Sequence, residues 1–375
     1  MDLLEIRGRL DQIDTQIEKL FEERMRLCSE VAEYKIATGK AVYDAEREKQ
    51  KIESVQAMAE SEFNKQAVAE LFLQMMTLSR RYQYQTIAGR VGGPDLGFHK
   101  VEKLETAGKR VVFQGLEGAY GHAAALQFFG KDADIHHVRR FEDMMVEIQE
   151  GKADFAVLPI ENSSAGAVTD NYDLLLKYDN VIVAETFLPV HHYLLGTPDA
   201  ELSDVKRVFA HPQALMQCSQ YLNARKDWQQ ISVSNTAAAA KKVLKEQDHS
   251  QAAVCSAYAA QVYGLSVLAE DINDETNNVT RFIIVTNQKI FTPDASKISI
   301  CFELPHQSGS LYQILSHFIY NDLNMTKIES RPVEGKSWEY RFFVDFEGNL
   351  EQPGVKNAIR GLREEARNLK ILGNY

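Results

Sequence analysis

A chain of 375 residues, 45% hydrophobic and 25% charged, has the make-up of a globular protein with room for two or three domains. Its net charge of −11, with no Lys/Arg block, argues against nucleic acid or an anionic membrane as partner. No apolar run reaches the roughly 18 residues of a membrane span, no signal-like segment opens the chain, and its cysteines lie far apart with no CxxC; a cytoplasmic protein without metal or disulfide chemistry is expected.

From Asp2 to about Thr38 there is no proline, and apolar residues recur at Leu3, Ile6, Leu10, Ile13, Ile17, Leu20, Leu27, Val31 and Tyr34. The alternating 3-4 spacing predicts one long helix with a coiled-coil-like seam, too long to be stable alone. Arg24 stands where an apolar seam residue is due, and Lys35 follows nearly in phase about 16 Å along the axis. A second helix is predicted over Tyr43 to Met58, with Asp44, Arg47 and Glu48 inside one turn. A third, about Asn64 to Ile87, carries the stripe Phe72, Met76, Ser79, Gln83, polar in its last two members. Buried polar groups on facing helices require partners. Two readings compete: a helical dimerisation module in which Arg24 pairs with a glutamate, or a site for a small polar dianion.

The set Ile6-Arg7, Glu23-Arg24, Lys35, Asp44 with Arg47-Glu48, and Ser79 with Gln83 resembles the all-helical chorismate mutase domain. The resemblance implies two chains interlocked through the long helix. It also implies one site built from Arg24, Lys35, Asp44, Arg47, Glu48, Ser79 and Gln83, with Arg7 supplied by the partner chain. The implied reaction, chorismate to prephenate, needs a clamp rather than a nucleophile: arginines on the two carboxylates, Lys35 and Gln83 on the ether oxygen, Glu48 on the ring hydroxyl.

Residues 89–108 are glycine-rich and weakly periodic and read as a linker. From Lys109 the pattern turns to alternating strand and helix, predicting α/β with a largely parallel sheet. Gly115, Gly118 and Gly121 do not form the dinucleotide fingerprint, so no nucleotide cofactor is expected. Polar residues collect after strands: Glu161-Asn162-Ser163-Ser164, His211-Pro212-Gln213 with Gln217, Asn235-Thr236 and Ser256. Ser163, Thr236 and Ser256 also fit as plain helix N-caps. Asn277-Asn278-Val279-Thr280-Arg281-Phe282 runs from a polar turn into an apolar strand, which would hold Thr280 and Arg281 at a sheet edge.

Gly115-x-x-Gly118, Pro159-Ile-Glu161-Asn162-Ser163, His211-Pro212-Gln213, Tyr263-Gly264-Leu265 and Asn278-Val-Thr280-Arg281-Phe282 resemble the prephenate dehydratase domain across about Lys109 to Gln288. That implies two lobes, like type II periplasmic binding proteins, with a site between them. The family commonly has proline second in the Gly115–His122 loop and hydroxyl residues at the places of Ala119 and Gly121, so this loop departs from the pattern. The implied reaction removes water and carbon dioxide from prephenate without cofactor. Thr280 is the candidate donor to the departing hydroxyl, Arg281 orients a carboxylate or the local loop, and Glu161 is a competing acid.

The last eighty residues read as strand, helix, strand, strand, helix, strand: Lys297–Glu303, a helix from Gly309 to about Asn321, Thr326–Pro332, Glu339–Phe346, Val355–Asn368 and a short strand at Lys370. This is the ferredoxin-like pattern. Gly309-Ser310-Leu311 and Glu329-Ser330-Arg331-Pro332 resemble the phenylalanine-sensing ACT domain, which implies L-phenylalanine as a feedback effector. The expected architecture is therefore a helical mutase domain at 1–88, a linker at 89–108, a two-lobed α/β dehydratase domain at 109–290 and an ACT domain at 296–375. The partners are chorismate, prephenate, phenylalanine and a second copy of the chain, with no metal. The rivals are a dehydratase with a non-catalytic helical dimerisation module, and a cytoplasmic sensor.

Overall fold

The computed structural model describes residues 2–91, 95–307, 309–333, 335–336 and 338–375. The chain divides into two compact units, Met1–Gly97 with Ser296–Ile371, and Phe98–Ala295 with Leu372–Tyr375.

The first unit combines the helices at the start of the chain with the C-terminal strands. Helix α1 (Leu3–Thr38) opens on Asp2, whose side chain accepts the Leu4 N–H, and closes on Gly39 in the left-handed region at φ 68. Its one buried residue is Ala32. The seam lies open: Leu10, Ile13, Ile17 and Leu20 are each more than half exposed. Helix α2 (Ala45–Ala57) is capped by Asp44, and helix α3 (Glu62–Val91) packs against both. Helix α3 runs past the predicted end at Ile87, so the first residues of the expected linker are helical; 92–94 lie outside the described residues, and His99–Lys100 pairs with Ile290–Phe291.

The C-terminal elements keep the expected βαββαβ order: Lys297–Glu303, Ser310–Tyr320, Met325–Pro332, Tyr340–Glu347, Pro353–Glu365 and Arg367–Asn374. In the sheet the strands lie in the order Met325–Pro332, Tyr340–Glu347, Lys297–Glu303, Arg367–Asn374. The second helix starts two residues before the expected Val355 because Pro353 takes its first turn, where the missing N–H costs nothing. The final strand is eight residues rather than a short one at Lys370. Phe302, Phe318 and Phe346 fill the core under this sheet, the last two edge to face at 5.1 Å.

Beside the short His99–Lys100/Ile290–Phe291 pair, the described residues of the second unit form two larger sheets. One runs Val181–Pro189, Val279–Thr286, Phe155–Asn162, Arg110–Gln114, Asp134–Val138; the other, five-stranded, runs Ser266–Ala269, Tyr193–Gly196, Gln251–Cys255, Arg207–Ala210, Gln229–Ser232. The expectation of a largely parallel sheet is corrected: both are mixed. Val279–Thr286 and Tyr193–Gly196 each run antiparallel to both neighbours. These strands follow the crossings between the two sheets, so they enter against the direction of the βαβ units. Gly373 pairs with Ile182, where any Cβ would stand 2.1 Å from the Ile182 carbonyl oxygen. Among the described residues no helix is long and apolar enough to cross a membrane.

Candidate active sites

The helical pocket is about 230 Å³ and is lined by Arg24, Lys35, Asp44, Arg47, Glu48, Ser79 and Gln83, joined by Cys28, Val42, Lys51, Met76 and Arg80. Seven of the eight residues expected in the helical site therefore meet, from three helices. Arg7 does not. It is exposed near the start of α1, roughly 25 Å up the axis from Arg24. Phe72, the first member of the expected stripe, also lies outside, under the ammonium of Lys51.

Arg24 donates through Nη1 to the Met75 carbonyl at 3.1 Å and to Ser79 Oγ, and Ser79 Oγ in turn donates to Met75 O at 2.6 Å. Among the described residues Nε and Nη2 of Arg24 have no hydrogen-bond acceptor, so three N–H donors on two nitrogens of the fork stay available to a ligand. Lys35 donates to Val42 O at 2.6 Å, and its partial burial lowers its pKa against the pull of Glu364, Asp44 and Glu48. Gln83 is buried; one amide N–H goes to Ser79 O at 3.2 Å and, among the described residues, Oε1 has no hydrogen-bond partner. Glu48 is held by Arg80. The pocket thus gathers cations from a chain of negative net charge and keeps an unsatisfied buried amide in its wall. The cations suit a small anion, and the orphaned Gln83 oxygen asks for a ligand donor such as a hydroxyl.

In the second unit a cavity of about 410 Å³ is lined by Ser164, Ala165, Gln213, Met216, Gln217, Asn273, Asp274, Glu275 and Asn278. Thr280 and Asn162 are register partners just behind it, with Asn162 Nδ2 donating to Thr280 Oγ1 at 2.9 Å and to Asn278 Oδ1 at 2.7 Å. Asn162 Oδ1 accepts from Ser164 N, Ser164 Oγ and Ala165 N, so the amide is fixed from both ends. Thr280 Oγ1 is thereby an acceptor within the protein, and its own proton is left to donate elsewhere. Asn278 is 3% exposed and, among the described residues, its Nδ2 has no hydrogen-bond partner.

Strand pleat separates residues that the sequence places side by side. Arg281 is the register partner of Glu161, on the opposite face from Thr280 and Asn162. It donates through Nε to Glu185 at 2.6 Å and through Nη2 to the Tyr375 hydroxyl at 2.7 Å, with Glu161 3.7 Å away. Ser163 is not a helix cap: it bridges Asn277 O and Val279 N. The cap of the helix Thr236–Glu246 is Asn235, one residue before Thr236, whereas Ser256 does cap Ala257–Tyr263. His211 caps Pro212–Gln217 through Nδ1, outside the cavity, and burial lowers its pKa. Gln217 reaches the cavity and joins Ser164 Oγ at 2.8 Å to the buried His192 at 2.9 Å; His192 in turn meets the Tyr120 hydroxyl at 3.1 Å.

Two family models match in chain order: Chorismate mutase type II over residues 6–84 and Prephenate dehydratase over 111–290. A bifunctional chorismate mutase/prephenate dehydratase of Aquifex aeolicus is 33% identical over 375 residues, covering 100% of this chain and 98% of its own. The chain belongs to the bifunctional chorismate mutase/prephenate dehydratase family. The relative from Escherichia coli K12, of the same name, is 30% identical over 100% of this chain and 96% of its own. A solved prephenate dehydratase from Arthrobacter aurescens, in complex with L-Phe, is 33% identical, covers 71% of this chain and 89% of its own, and superposes with a TM-score of 0.66.

In this member of the bifunctional family the helical pocket falls wholly inside the mutase match, and Thr280, Asn162 and Asn278 inside the dehydratase match. In the C-terminal part Gly309 caps the helix Ser310–Tyr320 at φ 81, a conformation suited to glycine. Ser310 and Leu311 line a small cavity of about 90 Å³ with Leu304, Pro305, His306, Gln307, Trp338, Tyr340 and Phe342. Glu329, Ser330, Arg331 and Pro332 lie on the neighbouring strand, Ser330 opposite Phe342 and Pro332 opposite Tyr340. The sequence reading missed Arg80, Asn278, His192 and Tyr120 as parts of these sites. Asn278 alone had a signal, as the residue that opens the Thr280 motif. Among the described residues no group of three or more His, Cys, Asp or Glu is placed to hold a metal ion.

Proposed function

We propose that this chain converts chorismate to prephenate in the helical pocket and prephenate to phenylpyruvate, with loss of water and carbon dioxide, in the second unit. The observation that carries the first step is the convergence of Arg24, Lys35, Arg47 and Gln83 on one pocket. Arg24 and Arg47 take the two carboxylates and hold the substrate compact, so that the bond forming and the bond breaking come into register. Lys35 and Gln83 donate to the ether oxygen, where negative charge grows as the C–O bond breaks. Glu48 accepts from the ring hydroxyl. A second copy, packed on the open seam of α1, brings Arg7 to the site; the chain is at least a dimer in this reading.

In the second unit Thr280, turned by Asn162, donates to the departing hydroxyl while the ring carboxylate leaves as carbon dioxide. The aromatic ring that forms drives the step, and no cofactor is required. Asn278 Nδ2 offers a further donor to a substrate carboxylate. L-Phenylalanine binds the C-terminal βαββαβ domain near Gly309-Ser310-Leu311 and Glu329–Pro332, an ACT-type effector site, and lowers flux; the Arthrobacter aurescens relative is itself an L-Phe complex.

Purified protein given chorismate alone is expected to yield prephenate and then phenylpyruvate, less of the latter when phenylalanine is added. Prephenate accumulating unchanged would leave the mutase and reduce the second unit to a sensor; conversion of supplied prephenate but not chorismate would make the helices a dimerisation module. The pH profile is a separate check. Lys35 must be charged to donate, and burial lowers its pKa below the ordinary 10.5. Mutase kcat/KM is therefore expected to fall as pH rises through that lowered value, and the Lys35→Arg variant to lose this alkaline limb, because guanidinium does not titrate there.

A further inference from the structure

One wall of the helical pocket rests on residues far away in the chain. Arg80, beside Ser79 on α3, has a side chain only 4% exposed and stands between two carboxylates. Its Nη1 donates to Glu48 Oε1, inside the pocket. Its Nε lies 3.0 Å from Oε1 of Glu365, itself 5% exposed, at the end of the helix Pro353–Glu365. Nη2 donates to Thr77 Oγ1 at 3.1 Å, and the guanidinium lies over the Tyr43 ring at 5.2 Å. His317 Nε2 approaches the same Glu365 oxygen at 3.2 Å. The preceding residue, Glu364, accepts the Tyr43 N–H and the Tyr84 hydroxyl, both at 2.8 Å, and Tyr43 directly precedes the cap of α2. Gly361 allows the close approach behind this: a Cβ there would stand 2.3 Å from the His317 ring.

We infer that Arg80 is a positioning residue of the mutase site, through which Glu365 of the C-terminal domain sets the place of Glu48. The inference rests on reading the helical pocket as the mutase site. The planar fork hydrogen-bonds the partly exposed Glu48 through Nη1 while its Nε stands in ion-pair contact, 3.0 Å away and without a hydrogen bond among the described residues, with the buried Glu365; only a narrow range of orientations keeps both contacts, and that fixes the Glu48 oxygen it holds. Without Glu365 the guanidinium is free to turn wholly onto Glu48 or toward the pocket. Either movement misplaces the acceptor for the ring hydroxyl while leaving Arg24, Lys35 and Gln83 in place. The C-terminal domain is thus a structural part of the mutase site, not only an appended sensor.

The test uses the full chain, with mutase kcat and KM on chorismate and the dehydratase rate on supplied prephenate measured for each variant. Glu365→Gln is expected to lower mutase kcat/KM roughly ten- to hundred-fold, more through kcat than KM, with dehydratase turnover unchanged. Arg80→Lys is expected to retain more mutase activity than Arg80→Met. Removing one member of a buried pair leaves a lone charge that threatens folding, so the combined Arg80→Met/Glu365→Leu variant removes both at similar volume. It is expected to show the mutase loss of Arg80→Met alone, with no further decrement from position 365. A folded combined variant with wild-type mutase kcat/KM overturns the inference, as does a mutase loss in Glu365→Gln that persists in full on the Arg80→Met background. A wild-type protein that turns over prephenate but never chorismate overturns the mutase reading beneath it.

Discussion

Arg24→Ala is expected to lower chorismate turnover by roughly 10³-fold while dehydration of supplied prephenate by the same preparation stays within about twofold. The guanidinium is anchored by one nitrogen to Met75 O and Ser79 Oγ, which leaves the rest of the fork facing the pocket. Alanine removes that fork, and with it the clamp that makes a unimolecular rearrangement fast. The structural cost is small by comparison, about 1 kcal/mol, because Ser79 still donates to the Met75 carbonyl that Arg24 leaves. Arg24→Lys is not a rescue: a point charge restores the cation without the bidentate geometry, so most of the loss should remain. A folded Arg24→Ala protein with near-normal mutase kcat/KM would remove the helical pocket from the mechanism.

Thr280→Val is expected to do the reverse, cutting dehydratase kcat by about 10²–10³-fold with the mutase untouched. Valine keeps the β-branched shape that a buried strand wants and deletes only the hydroxyl. Asn162 Nδ2 still has Asn278 Oδ1 to donate to, so the loss in stability should be about 1–2 kcal/mol. Thr280→Ser, which restores the hydroxyl, should recover most of the rate. The check is single-turnover formation of phenylpyruvate from prephenate for the three proteins. A valine variant as fast as wild type would shift the acid role elsewhere, and loss of both activities in either Arg24→Ala or Thr280→Val would mean that the two sites are not independent.

The helical pocket was legible because helix periodicity projects sequence spacing onto a face. Arg24, Lys35, Ser79 and Gln83 could be placed on inward stripes before any packing was known. The second site was legible as a motif but not as a geometry. Thr280 and Arg281 read as a pair, yet the pleat sends them to opposite faces, one to Asn162 and the other to Glu185 and Glu161. His211 reads as one of the polar residues gathered after strands, and its ring serves as a helix cap. Strand direction carries no local signal, which is why the mixed sheets were missed. Arg80 and Glu365 are the clearest case of what sequence hides: each is an ordinary surface-type charge in its own helix, and only the tertiary fold makes them a buried pair.

The first unit is assembled from both ends of the chain, and that has a consequence for how it comes into being. A ribosome releases α1, α2 and α3, with the apolar stripe of α1 already complete, long before it adds Glu364 and Glu365. At about 5–20 residues per second the interval is of order tens of seconds. If two copies pair through α1, as proposed above, nascent chains on neighbouring ribosomes have time to do so before either owns the residues that brace Tyr43 and Arg80. Pairing would come first and the finishing of the pocket wall second, so a polypeptide cut short after Ala295 could join a full-length chain while lacking the brace on its own side.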